Sequence, residues 1–274
     1  MPELPEVETI KNDLAPRVVG RRIQRVKVLW PGSVRRPSVE EFQRRLVGTT
    51  IQALARRGKY LIFRLCGGTA LIFHLKMTGA LLLGDKAPVD PHTRAIFELD
   101  DPSKGRTRLL FSDIRKLGGM WLVEDEREVI SELGPEPLDP AFTAQRLGHA
   151  LARRPGPIKA VLCDQSLLAG VGNIYADEAL FEARLHPLRP ARSLSPQEVK
   201  TLHRAIRKVL RRAIECRGTT ILNYRDPAGK PGSYQEMLGI PRRAGASCSR
   251  CGTPIARIPL RGRGTYFCPR CQPQ

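Results

Sequence analysis

Four cysteines near the C-terminus constrain this chain more than any other feature. Cys248-x-x-Cys251 and Cys268-x-x-Cys271 stand sixteen residues apart. Four thiolates at that spacing close a tetrahedral site for one structural zinc ion on two knuckles, leaving no open position for catalysis. A segment of roughly 27 residues cannot build a core of its own, so the metal supplies its folding energy. Between the pairs, Gly262-Arg263-Gly264-Thr265-Tyr266-Phe267 predicts a hairpin whose glycine-flanked tip projects Arg263. Two redox Cys-x-x-Cys motifs are the rival reading, but no thioredoxin-like pattern surrounds them. The remaining thiols, Cys66, Cys163 and Cys216, are scattered in apolar or helical contexts. An odd cysteine count with one metal site suits a reducing cytosol better than a secreted disulfide framework.

Charge narrows the partner. Lys and Arg outnumber Asp and Glu by 46 to 27, a formal net charge of +19. The excess runs along the whole chain, so it describes a folded basic surface facing a polyanion. Nucleic acid is preferred over an anionic membrane because no basic amphipathic anchor is present. The longest apolar runs are strand-sized, and nothing resembles a signal peptide or membrane span.

The expected fold class is α+β. Strand-like segments fall at Arg22–Leu29, Thr50–Ala55, Lys59–Leu65, Thr69–Leu75, Ala80–Leu83, Arg94–Leu99, Thr107–Phe111 and Gly119–Val123. Several alternate apolar with polar at sandwich or barrel spacing, and a short helix at Val39–Leu46 interrupts them. Residues 133–140 carry three prolines and read as a linker. Beyond them the period turns helical at Thr143–Arg153, Ile158–Cys163, Ile174–Arg184 and Pro196–Glu215. Ser195 and Glu198 form a capping box for the last of these. Residues 217–247, rich in Gly, Pro and charge, predict a long mobile loop.

The first eight residues hold two prolines and three carboxylates. Val7, Ile10, Leu14 and Val18 recur at helical spacing, which starts a helix near Glu6 with Pro2 and Glu3 just ahead of it. Removal of Met1 would expose a secondary amine, and α-amino groups titrating at about 7.7–8.0 have a neutral, nucleophilic fraction near pH 7. A neighbouring carboxylate can shuttle the protons. Glu8 reads as an ordinary first-turn acid. In Leu168-Ala-Gly-Val-Gly-Asn-Ile-Tyr175 a glycine turn enters a helix near Asn173, the makings of a phosphate site, with Lys159 upstream. Lys59 enters an apolar strand. Met77 and Leu117 lie beside expected strand ends, where apolar residues can unstack bases, and His74 between Phe73 and Leu75 reads by itself as structural.

Taken together, Pro2-Glu-Leu-Pro-Glu-Val-Glu8, Arg57-Gly-Lys-Tyr60, Gly170-Val-Gly-Asn-Ile-Tyr-Ala-Asp-Glu178 and the terminal cysteines closely resemble the bacterial formamidopyrimidine-DNA glycosylase (Fpg) family, from Pro2 to Cys271. The resemblance implies an N-terminal β-sandwich with flanking helices over 1–132 and a linker at 133–140. A helix–two-turn–helix domain with a lesion-capping loop follows over 141–239, then a zinc ribbon over 240–274. It implies a monomeric cytoplasmic base-excision repair enzyme acting on double-stranded DNA that contains oxidised purines, such as 8-oxoguanine and formamidopyrimidines. The abasic strand is then cut by β- and δ-elimination. Pro2 is the implied nucleophile at C1′, forming a Schiff base. Glu3 is its acid/base partner and Glu6 shapes the pocket. Lys59 and Arg263 complete the catalytic set. Lys159, Asn173 and Arg263 would grip phosphates, with His74 and Tyr175 in the DNA-binding set. Met77 and Arg115 would fill the gap left by the lesion, and Leu117 stands where the family commonly has Phe. An endonuclease VIII relative, which prefers oxidised pyrimidines, is the nearest alternative; Leu4 favours the Fpg branch. A zinc-ribbon nucleic-acid-binding protein without catalysis is the other.

Overall fold

Residues 1–85, 88–101 and 105–274 are described by a computed structural model of the chain. They divide into two compact units, Met1–Ser131 with Cys216–Ser233, and Glu132–Glu215 with Tyr234–Gln274. The contiguous block expected at 141–239 is therefore split: Cys216–Ser233 returns to pack with the N-terminal unit.

The first unit opens on helix α1 (Leu4–Val18), whose stripe of Val7, Ile10, Leu14 and Val18 is buried. Strands β1 (Ile23–Val28), β7 (Thr93–Asp101), β8 (Gly105–Asp113) and β6 (Gly79–Leu83) form one sheet in the order β1-β7-β8-β6. The second sheet runs β2-β9-β5-β4-β3, from β2 (Val34–Arg36), β9 (Gly119–Val123), β5 (Ala70–His74), β4 (Tyr60–Leu65) and β3 (Ile51–Arg57). Inward residues of both sheets share one core. Phe73 of β5 lies edge-on to Phe63 at 5.4 Å, Phe111 at 5.7 Å and Phe97 at 5.8 Å. Helix α2 (Val39–Leu46) adds Phe42 and Leu46 to that core, and Tyr224 enters it from the returning segment. Outside the five-stranded sheet, Ile62, Ile72 and Val123 make a smaller cluster with Val129 and Ile130 around the one-turn helix α3 (Arg127–Ile130). The eight expected strands and α2 are present. Strand β2 and α3 were not anticipated; β2 is three residues long, two of them Arg, and owes its conformation to parallel pairing with β9.

The second unit contains α4 (Ala144–Ala152), α5 (Ile158–Leu162), α6 (Asn173–Glu182) and α7 (Pro196–Glu215). The Ser195 box is formed, with Glu198 N–H donating to Ser195 Oγ at 3.3 Å and Ser195 N–H to Glu198 Oε2 at 2.8 Å. The proline-rich segment at 133–140 is fastened down. Gly134 N–H donates to Gln165 O, and the Arg207 guanidinium donates to the carbonyls of Pro137 and Asp139, each at 2.9 Å. A hairpin of β10 (Ala256–Leu260) and β11 (Arg263–Phe267) ends the chain.

Candidate active site and nucleic-acid interface

In the first unit, Pro2, Glu3 and Glu6 are all buried, whereas Met1 is 44% exposed. Glu3 is the N-cap of α1. Glu6 reaches back to accept the Glu3 N–H at 2.7 Å, one arm of a capping box. Its other oxygen accepts the Thr219 N–H at 2.7 Å. Glu6 thus fixes both the entry to α1 and the returning segment. Gly218 makes the second contact possible: its φ is +83°, and a Cβ there would lie 2.8 Å from Glu6. Arg217 anchors the same segment by pairing with Asp13 and with Asp226 at 2.7 Å. The loop expected to be mobile is tied at its base. Glu8 is structural as expected, paired with Lys11 at 2.5 Å and Arg56 at 2.6 Å.

Lys59 lies in the two-residue Gly58-Lys59 turn that joins β3 to β4 and is 6% exposed. Gly58, with φ 57°, occupies the first central position, which demands glycine in a type II′ turn. His74 ends β5, edge-on to Tyr60 at 4.6 Å. Burial, with Lys76 and Lys59 nearby, pushes its imidazole down to about 3, so the ring is neutral near pH 7. Its Nδ1 accepts the Lys76 N–H at 3.0 Å, which leaves the ring proton on Nε2. Met77 and Leu117, residues of a type usually found in cores, are 46% and 41% exposed on two turns. Arg115 is exposed beside them, Nη1 3.6 Å from Met77 Sδ.

In the second unit the helix N-terminus reads slightly differently from the sequence. Gly172 is the N-cap of α6 and Asn173 its first residue, and the glycine supplies no side-chain acceptor to the first turn. Asn173 Nδ2 donates to Gly264 O at 3.2 Å, tying α6 to the hairpin. The hairpin turn is Arg261-Gly262, with φ of 46° and 72°, so Arg263 begins β11 beside the tip, exposed, instead of occupying it.

Lys159 departs from the phosphate-gripping expectation. It is 1% exposed, and its Nζ lies 2.8 Å from Asp177 Oδ1, 2.7 Å from Thr265 Oγ1 and 3.3 Å from Gly264 O. Those three acceptors match the three donors of an ammonium. Asp177, also 1% exposed, takes Arg242 Nη1 at 3.1 Å and the Tyr266 N–H at 3.4 Å on its second oxygen. Burial pushes the Asp177 carboxyl up and the Lys159 ammonium down, against their mutual attraction. Lys159 therefore holds the hairpin to α5 and α6. Tyr175 also departs: its side chain is 1% exposed, packed 5.8 Å from the Tyr234 ring, so it belongs to the core. Sequence reasoning passed over Glu178, which accepts the N–H groups of Gly239 and Ile240 at 2.9 Å each. Burial pushes its carboxyl up to about 7. No local signal marks it, because α6 is buried on nearly every side.

The four cysteine sulfurs lie within 4.8 Å of one another. Cys248–Cys271, Cys251–Cys268 and Cys251–Cys271 are 3.9, 3.5 and 3.4 Å apart. A tetrahedron of Zn–S bonds of about 2.3 Å has edges of about 3.8 Å, so the set fits one zinc ion. The N–H groups of Arg250 and Cys271 point at Cys248 and Cys268 sulfur at 3.4 Å each, the orienting contacts that a thiolate site uses.

Comparison with known proteins matches three stretches of the chain. Residues 1–120 match the formamidopyrimidine-DNA glycosylase N-terminal domain, 133–224 its H2TH domain, and 247–274 the zinc finger found in FPG and IleRS. The formamidopyrimidine-DNA glycosylase of Symbiobacterium thermophilum is 50% identical over 278 residues, covering 100% of this chain and 90% of that one. The chain belongs to the formamidopyrimidine-DNA glycosylase family. The family member from Carboxydothermus hydrogenoformans is 48% identical, covering 99% and 100%. Among solved structures, the MutM (Fpg) protein of Thermus thermophilus superposes with a TM-score of 0.89 at 44% identity, covering 99% and 98%. A Lactococcus lactis FPG mutant in complex with a Fapy-dG containing DNA gives 0.92 at 36% identity, covering all of both chains. No helix among the described residues is long and apolar enough to cross a membrane.

Proposed function

We propose that the protein is a bifunctional DNA glycosylase and AP lyase of base excision repair, excising oxidised purines such as 8-oxoguanine and formamidopyrimidines. The observation that carries this reading is the buried Pro2-Glu3 pair at the start of α1, with the Glu3 amide fixed by Glu6. While Met1 is attached, the Pro2 nitrogen is an amide without N–H and with a delocalised lone pair. Met1 is exposed, so it is accessible for removal. The free amine then attacks C1′ as the base departs and loses its proton. Glu3 gives a proton to the ring oxygen, the C1′–O4′ bond breaks, and an iminium joins Pro2 to the opened sugar. Proton removal at C2′ expels the 3′ phosphate and proton removal at C4′ then expels the 5′ phosphate, which gives β,δ-elimination, with Lys59 in the proton transfers and Arg263 gripping phosphate. The base must first leave the stack, which costs a few kcal/mol. Met77, Arg115 and Leu117 offset that cost by filling the gap. Arg263 and the +19 charge hold the backbone. Lys159 and Asn173 act here by holding the hairpin. Zinc, held by Cys248, Cys251, Cys268 and Cys271, supplies structural closure of the hairpin.

Borohydride reduces an iminium to a stable amine. The expected result with 8-oxoguanine opposite cytosine is a covalent protein–DNA adduct on Pro2, absent when an N-terminal tag is retained. Failure to trap with zinc-loaded, Met1-free protein refutes the proposal. Trapping on oxidised pyrimidines in place of purines transfers the protein to the endonuclease VIII type.

A further inference from the structure

The two turns that carry Met77, Arg115 and Leu117 share one buried joint. Met77 rides on the turn Leu75–Gly79, closed by Gly79 N–H to Leu75 O at 2.9 Å. Glycine is required at its end, since a Cβ on residue 79 would lie 2.4 Å from Leu75 O. Arg115 and Leu117 ride on the turn from Asp113 to Gly118. Asp113 is 1% exposed and every oxygen it carries is engaged. Oδ1 accepts from Thr78 Oγ1 at 2.5 Å and from the Arg115 N–H at 3.3 Å, while Oδ2 accepts the Gly118 N–H at 2.7 Å. Its carbonyl accepts from Arg94 Nε at 2.8 Å. Thr78 in turn accepts the Arg115 N–H at 3.0 Å. One carboxylate thus grips both ends of its own turn and, through Thr78, the neighbouring turn.

Around this joint the side chains are exposed and the backbone is braced. Arg35 Nη2 donates to the carbonyls of Leu117 and Gly118 at 3.3 and 3.2 Å, and Lys116 Nζ sits 4.0 Å over the Trp30 ring. Nearly half-exposed apolar side chains on rigid backbone are what a wedge into a base stack needs. A yielding wedge would spend the unstacking energy on its own displacement.

We propose that Asp113, acting through Thr78, is the positioning residue that makes Met77, Arg115 and Leu117 one rigid wedge. Base extrusion from a duplex then depends on the joint, and the chemistry at Pro2 does not. The inference rests on the enzymatic reading above, and its test separates the two. Thr78→Val removes the link at nearly constant volume, Thr78→Ser restores the hydroxyl, and Asp113→Ala removes the whole joint. Each is compared with the parent enzyme in single-turnover excision of 8-oxoguanine from duplex and in cleavage of an abasic site in a single-stranded oligonucleotide, which has no stack to open.

Thr78→Val is expected to slow duplex excision about tenfold, equivalent to about 1.4 kcal/mol. Single-strand cleavage should stay within about twofold of the parent, and Thr78→Ser should recover most of the duplex rate. A 2-aminopurine beside the lesion should brighten less on binding Thr78→Val, reporting poorer unstacking. Equal losses on both substrates, or an unchanged duplex rate in Thr78→Val, overturns the proposal. Inactivity of the parent on both substrates instead refutes the enzymatic reading. Should Asp113→Ala not fold, the Thr78 pair decides alone.

Discussion

Both units fasten a functional segment to a buried carboxylate, and they do it with different donors. In the first, Glu6 receives backbone N–H groups from Glu3 and Thr219. In the second, Asp177 is held chiefly by cations, Lys159 and Arg242. Amide donors cost less to bring out of water than cations do. A buried ion pair is costly to desolvate, and losing one partner strands the other charge. The Glu6 joint is therefore the less costly of the two to break, and the Asp177 joint the more costly.

Removing the metal should give the largest effect. With Cys248→Ser or after chelation, the hairpin that supplies the Tyr266 N–H and Thr265 to the Asp177 joint loses closure. Duplex affinity should fall at least about 100-fold, about 2.7 kcal/mol, while the first unit keeps its unfolding transition in protection experiments. Retained affinity would detach the ribbon from the binding surface.

Next in size is Lys159→Met. Breaking one side of a buried pair costs about 3–5 kcal/mol, whereas replacing both partners with apolar groups is often neutral. Lys159→Met should markedly lower the denaturation midpoint of the second unit, and Lys159→Met with Asp177→Asn should recover part of the loss, because a neutral amide oxygen still accepts from Arg242 and the Tyr266 N–H. A single variant as stable as the parent would remove the contrast between the joints. Glu6→Gln should cost less, about 1–3 kcal/mol, because one amide donor is left facing an NH₂ group. Faster hydrogen exchange at Thr219 should accompany it, and unchanged exchange would mean that Glu6 does not hold the segment.

Taken per pH unit, the smallest effects are in pH, and they run opposite ways in the two units. Glu178, pushed up to about 7, binds more protons when folded than unfolded between its ordinary value and about 7. Its contribution to second-unit stability therefore rises as pH falls from about 7, by at most about 1.4 kcal/mol per pH unit. His74, pushed down to about 3, binds fewer protons when folded. First-unit stability should fall as pH drops below about 6.5. Glu178→Gln should abolish the first trend and leave the second. Parallel acid profiles of second-unit stability in Glu178→Gln and the parent would contradict these assignments.

Legibility in the sequence followed the locality of the cause. Helices α2 and α7 were bounded correctly because Ser38 and Ser195 cap amphipathic stripes. The zinc site was legible because spacing alone brings four thiolates together. The N-terminal pair was legible through resemblance to a family. The surroundings of Lys159 are not legible, because a basic residue near a helix start looks the same whether it faces water or a buried Asp; only its 1% exposure decides. Asp113 had a readable cue, an Asp followed five residues later by Gly at a turn. Thr78 as its partner did not, since the two are 35 residues apart. The segment at 216–233 looked mobile because its anchors, Glu6 and Asp13, lie more than 200 positions away.

That last separation bears on how the molecule is made. The first unit is written in two instalments, with all of Glu132–Glu215 between them. A nascent chain interrupted before Cys216 has α1 and both sheets but lacks Tyr224 in the core and the Thr219 amide on Glu6. Domains normally fold in order of synthesis, N-terminal first. Here the N-terminal unit is completed only after most of its successor has emerged. The start of α1 is synthesised long before the Thr219 amide that completes its Glu6 joint.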